Sequence, residues 1–314
     1  MLDLPLDIHF IIAALCKRND LFALSLSCRQ LYQLYNYLLY KYNIKHESSS
    51  ALGKICQYEN QDASVRALQM AINAGTNLER TFDMNVLHIL PRAASWLIPG
   101  LNQITYYHDL TPLYLAAQNG LRDTVALLLQ NRANINISTE RSRWTPLLFA
   151  LNNRQSLTAK SLIDQGAALT TEWGTNALYI SAALDLPDIV EYLVKKKGID
   201  PNSGDGFWDT PLIYAITSPY TTENSIPHLL ALGADLNQVT FVRGQCWSPL
   251  GIALKCRRWE LAEQLLDNGA DPEHKGDSAS SARKHMIPKL LAKVDLGIEV
   301  SGFQKIGSLL FALV

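Results

Sequence analysis

The chain has 314 residues, a formal net charge of −1, 48% hydrophobic residues and 18% charged residues. That balance excludes disorder over most of the length and supplies no broad field for nucleic acid or an anionic membrane. No apolar run reaches the ~18 residues of a membrane helix, and Met1-Leu2-Asp3 lacks the basic start of a signal peptide; five cysteines without a C-x-x-C pair fit a reduced compartment, so the cytoplasm and/or nucleus is expected.

Behind Leu2-Asp3-Leu4-Pro5, residues Leu4, Ile8, Ile11, Ile12 and Leu15 recur at three- and four-residue steps and predict an amphipathic helix. Asn19-Asp20 predicts the cap of a short second helix through Leu21 and Leu24. Cys28-Arg29-Gln30-Leu31-Tyr32 begins or continues a third that runs to Tyr40. Leu-Pro-x-Asp-Ile, an apolar helix and Asp-Leu-x-x-Leu-Ser-x-x-Cys-Arg-x-Leu-Tyr together resemble an F-box. The resemblance implies a small three-helix domain over 1–45 that docks the Skp-type adaptor of an SCF-type cullin–RING ubiquitin ligase. Leu4, Pro5, Ile8, Leu21, Leu24, Cys28 and Leu31 match the adaptor-binding pattern. A second reading makes these helices an N-terminal cap on the rest of the chain.

Ser50-Ala51-Leu52-Gly53-Lys54-Ile55-Cys56 and Val65-Arg66-Ala67-Leu68-Gln69 predict two short helices, closed by a turn at Ala74-Gly75-Thr76. Residues 46–79 are read as a degenerate repeat unit. The next unit starts 36 residues after Gly75, leaving 80–110 as an extended loop with one short helix. Its Val86-Leu87-His88-Ile89-Leu90 and Trp96-Leu97-Ile98 are too apolar for a disordered linker. Two readings stand side by side: a binding element, or a segment packed over an imperfect junction.

From Thr111 a pattern repeats. Thr111-Pro112-Leu113, Thr145-Pro146-Leu147, Asn176-Ala177-Leu178, Thr210-Pro211-Leu212 and Ser248-Pro249-Leu250 lie 34, 31, 34 and 38 residues apart. Thr or Ser before Pro predicts a capped helix start. A second apolar helix follows each, with Leu128 and Leu193 among its core positions, and each ends in a turn such as Gly233-Ala234-Asp235. Helix pairs this short cannot bury their faces alone and must stack on copies of themselves. The pattern resembles the ankyrin repeat, whose signature is T-P-L-H-x-A at about 33 residues. The resemblance implies an all-α ankyrin-repeat solenoid of helix-turn-helix units with finger hairpins, over 111–275. The chain departs from it where the family has His: Tyr114, Leu148, Tyr179, Ile213 and Gly251 stand there, so packing is expected to do more of the work that His does through hydrogen bonds between repeats. Residues 276–314 are read as a C-terminal cap and tail.

No H-E-x-x-H, zinc spacing, Gly-rich phosphate loop or G-x-S-x-G occurs, so no enzyme, metal or cofactor is expected. Trp144, Trp173, Trp208 and Trp247 each precede a repeat start by one to three residues. Trp144 and Trp247 are read as packing residues, while Trp173 and Trp208 remain open between packing and binding. Tyr106, Tyr107, Trp173, Phe207 and Trp208 are the candidate target-binding fingers, because aromatic rings dominate protein-binding hot spots. Two functions compete: a substrate-recruiting F-box subunit whose repeats hold a target protein, and an ankyrin scaffold with no ligase role.

Overall fold

The computed structural model describes residues 39, 41, 43, 50–56, 61–86, 105–139, 144–171, 175–204, 209–242 and 245–271. Leu4, Pro5, Ile8, Leu21, Leu24, Cys28 and Leu31 lie outside the described residues, as do Trp173, Phe207, Trp208, 87–104 and the C-terminal segment after Asp271. The helices fall into two compact units, one running through Ala168 and one beginning at Leu169.

In the first unit the helices come in pairs: α1 (Ser50–Ile55) with α2 (Gln61–Asn73), α3 (Pro112–Gln118) with α4 (Arg122–Gln130), and α5 (Pro146–Asn152) with α6 (Ser156–Asp164). First helices pack on first helices and second on second, so each pair closes its neighbour's apolar face. Between α2 and α3 stands an antiparallel ribbon, β1 (Phe82–Val86) with β2 (Thr105–Leu110), whose register shifts between Phe82 and Met84. That shift is a bulge, which bends one strand and raises its twist.

The second unit repeats the arrangement with α7 (Ala177–Ala183) and α8 (Pro187–Glu191), α9 (Pro211–Thr217) and α10 (Ser225–Ala231), and α11 (Pro249–Lys255) and α12 (Trp259–Asp267). A second ribbon, β3 (Thr240–Val242) with β4 (Gln245–Trp247), precedes α11.

The repeat starts do what their chemistry dictates, with one exception. The hydroxyls of Thr145, Thr210 and Ser248 accept from the backbone N–H three residues on, at 3.4, 3.4 and 3.1 Å. Asn176 accepts from Leu178 N–H at 2.7 Å. Thr111, expected to cap in the same way, does not; its hydroxyl is buried without a partner. Five residues into each start sits a small residue that lets neighbouring helices approach: Ala116, Ala150, Ser181, Ala215 and Ala253, all fully buried. Ser181 satisfies its hydroxyl within its own helix, donating to Ala177 O at 2.7 Å.

From α4 onward each second helix, or the turn that continues it, buries a leucine at the same place: Leu128, Leu162, Leu193, Leu229 and Leu265. Four residues later the chain takes a left-handed turn, at Arg132 (φ 67), Gly166, Gly233 and Gly269. Glycine adopts this conformation freely, whereas Arg132 occupies it at a steric cost of about 1 kcal/mol. After Leu193 the turn comes one residue late, at Gly198. The extra residue is absorbed as a π turn over Tyr192–Lys196, so Ile199 N–H reaches Leu193 O where Ala234 N–H reaches Leu229 O.

A ladder of side-chain bonds ties successive turns together. In the first unit Glu79 accepts from Asn134 N–H at 2.9 Å and Asn136 from Ala168 N–H at 2.8 Å. In the second, Asn202 accepts from Asp235 N–H at 2.7 Å and Asn237 from Asp271 N–H. Each acceptor is itself positioned by an Asx-type turn, for Asn77, Asn134, Asp200 and Asp235 accept from the N–H two residues on.

Candidate protein-binding surface

The loops before each first helix are the places where the expected fingers should lie, and aromatic packing shapes them. Thr139 and Trp144 clasp one such loop through Thr139 N–H to Trp144 O at 3.0 Å and Trp144 N–H to the Thr139 hydroxyl at 3.1 Å. Trp144 is buried and meets Phe149 edge-on at 5.5 Å; Tyr114 meets the same ring at 5.1 Å. Trp247 is buried at the end of β4. Both tryptophans expected to pack therefore do so.

Tyr114 makes hydrogen bonds from the position where the family has His. Its hydroxyl donates to Ile137 O at 2.8 Å, with Trp144 O a second acceptor at 3.1 Å. Tyr179 does likewise toward Ser203 O at 3.2 Å and stacks on Tyr214 with ring centroids 5.1 Å apart. At Leu148, Ile213 and Gly251, packing is all that remains.

Of the candidate finger residues, Tyr106 and Tyr107 are placed in β2, paired with Asn85 and Met84 across the ribbon. The ribbon brackets residues 87–104, so the 80–110 segment leaves and rejoins the repeats at paired strands. Trp173, Phe207 and Trp208 lie outside the described residues.

Charge is sparse. Lys195 pairs with Glu191 at 2.7 Å on an exposed helix face, a contact of small energetic weight. The last described repeat carries the unpredicted feature: the Lys255 ammonium lies 4.2 Å from the centroid of the Trp247 ring. Residues eight apart gave no helical or strand spacing to draw them together. Among the described residues no group of His, Cys, Asp and Glu could hold a metal ion, and no helix is long and apolar enough to cross a membrane.

The family model for ankyrin repeats (three copies) matches residues 84–170, 113–205 and 153–240, which together span half of the chain. The chain belongs to the ankyrin-repeat family. It is 30% identical over 115 residues to the B-cell lymphoma 3 protein homolog of Mus musculus, a match covering 36% of this chain and 25% of that protein. The chain thus spans about a quarter of the length of that curated relative. Among solved structures, the human ASB11 ankyrin repeat domain superposes with a TM-score of 0.55 at 20% identity, covering 74% of this chain and 90% of that one. The ankyrin repeat domain of Bcl-3 gives 0.50 at 22% identity, covering 72% and 88%. At these identities the likeness is one of fold. Ankyrin repeats are protein–protein interaction modules, and this array is one.

Proposed function

We propose that the chain recruits a target protein to an SCF-type cullin–RING ubiquitin ligase, working in the cytosol or nucleus. Residues 1–45 would dock a Skp-type adaptor through Leu4, Pro5, Ile8, Leu21, Leu24, Cys28 and Leu31, while the repeats over 111–275 hold the target. The observation that carries this reading is the F-box-like motif directly ahead of an ankyrin array: Leu4-Pro5-x-Asp7-Ile8, then Asp20-Leu21-x-x-Leu24-Ser25-x-x-Cys28-Arg29-x-Leu31-Tyr32. A segment of about forty residues has too little core to stand alone, so a partner that covers its apolar face fits its size. Changing Leu4 and Pro5 together to Ala should abolish co-purification with the adaptor while the repeats keep their helical circular dichroism. Undiminished adaptor binding by the double variant, or none by the wild type, leaves the plain ankyrin scaffold as the function.

Target binding is assigned to the finger side, to Tyr106, Tyr107, Trp173, Phe207 and Trp208 and the 80–110 segment. Large rings give contact area for little lost rotamer freedom. Changing Trp173 and Trp208 together to Ser should remove the target from an affinity pull-down with the melting temperature nearly intact. A large fall in melting temperature would assign the two rings to packing.

A further inference from the structure

The last described repeat gathers its cations at one turn. α11 ends at Lys255, and Cys256, Arg257 and Arg258 lead into α12. Lys255, Cys256 and Arg257 are exposed, and Arg257 holds a left-handed conformation (φ 57) at a turn where another repeat uses Gly120. Lys255, Arg257 and Arg258 form no ion pair with a carboxylate of the described residues. Beneath Lys255, Trp247 is 7% exposed, and its indole N–H is buried with no acceptor. A buried donor left unpaired is costly, and native structures tolerate few of them.

We propose that this patch docks an acidic peptide segment, with one carboxylate accepting from both the Lys255 ammonium and the Trp247 indole N–H and another held by Arg257 and Arg258. Bonds between charged partners are the strong ones, and guanidinium forks match carboxylates. The patch suits two or three carboxylates within a short stretch. Nucleic-acid binding takes a longer footprint, on the order of six to ten phosphate contacts for a strong salt-dependent complex, and the net charge of −1 adds no wider field. The inference goes beyond the ligase reading and does not depend on it.

The test uses the full chain and a short fluorescein-labelled oligoglutamate followed by anisotropy at low salt, with oligolysine and single-stranded DNA as comparison probes. Oligoglutamate should bind, weaken as salt rises, and lose about tenfold in affinity when Lys255→Gln, Arg257→Gly and Arg258→Gln are combined. Glycine at 257 suits the local backbone, and the circular dichroism melt of the triple variant should match the wild type. Trp247→Phe keeps a ring under Lys255 but lacks the donor, and should weaken binding by about two- to tenfold. Lys195→Gln with Lys196→Gln, on another repeat, should leave it unchanged. Equal oligoglutamate affinity in the triple variant and wild type overturns the proposal, and so does tighter binding of DNA than of oligoglutamate.

Discussion

Asn237 Oδ1 accepts a hydrogen bond at 2.9 Å from the backbone N–H of Asp271, a full repeat further along the chain. Its carboxamide bridges two turns that have no regular backbone pairing between them. The bond to the next repeat is repeated at Asn202, which also donates through Nδ2 to Gly233 O at 2.8 Å. Side chains here do what the ladder of a sheet does elsewhere, and a turn backbone would otherwise have only water to satisfy it.

Asn202→Ala removes both of those bonds and should destabilise the array by about 1–3 kcal/mol in urea unfolding. Asn237→Ala, with one such bond to lose, should cost less.

Arg132→Gly should stabilise by up to about 1 kcal/mol, because glycine relieves the left-handed strain at φ 67. The reverse experiment is Gly166→Ala at φ 91, where no atom crowds the new Cβ; a loss of about 1 kcal/mol would there report conformation alone. Thermal melts of both variants measure the pair.

Leu128→Ala and Leu193→Ala each empty a fully buried site and should cost about 2–5 kcal/mol. In a one-dimensional stack the damage stays close to home. Hydrogen exchange should rise in α4 and its neighbours for the first variant, and in α8, the π turn that follows it and their neighbours for the second. Uniform loosening from α1 to α12 would contradict a repeat array.

The Cys56 thiol is buried, which pushes it from 9.0 up to about 12. An unfolded chain ionises this thiol above pH 9.0, whereas the folded chain holds its proton up to about 12. The group's contribution is therefore intact below pH 9.0 and lost as pH climbs through that window, by on the order of a few kcal/mol. Cys56→Ala should flatten the alkaline limb of a stability-versus-pH curve. Peptide mapping after brief alkylation at neutral pH should find Cys256 modified and Cys56 untouched until denaturant is added.

Much of this fold can be read from the chain because Thr-Pro-Leu starts and glycine turns are local signals. Their chemistry acts within four or five residues, and Thr145, Thr210 and Ser248 cap as their sequence implies. Thr111 shows the limit: the same residue before the same Pro makes no cap, since rotamer choice answers to neighbours that sequence does not reveal. The ladder had a visible signal in Asp200-x-Asn202 and Asp235-x-Asn237, two residues apart in each turn, but its partners lie over thirty residues away. Tyr114 was legible as a departure from the ankyrin signature, whereas its acceptor, Ile137 O, belongs to a loop whose path is fixed only by packing. The Lys255–Trp247 contact has no periodic signature at all, because it joins the end of one helix to the strand before it.

The π turn over Tyr192–Lys196 confines a length change to a single helical end. Downstream of the extra residue, Asn202 still reaches Asp235. An insertion in mid-helix would ordinarily rotate every later side chain by about 100°, as 3.6 residues per turn requires. Here the surplus bulges out and the phase of the next unit is kept. The end of this second helix thus takes up an extra residue while the side-chain bond to the next turn is kept.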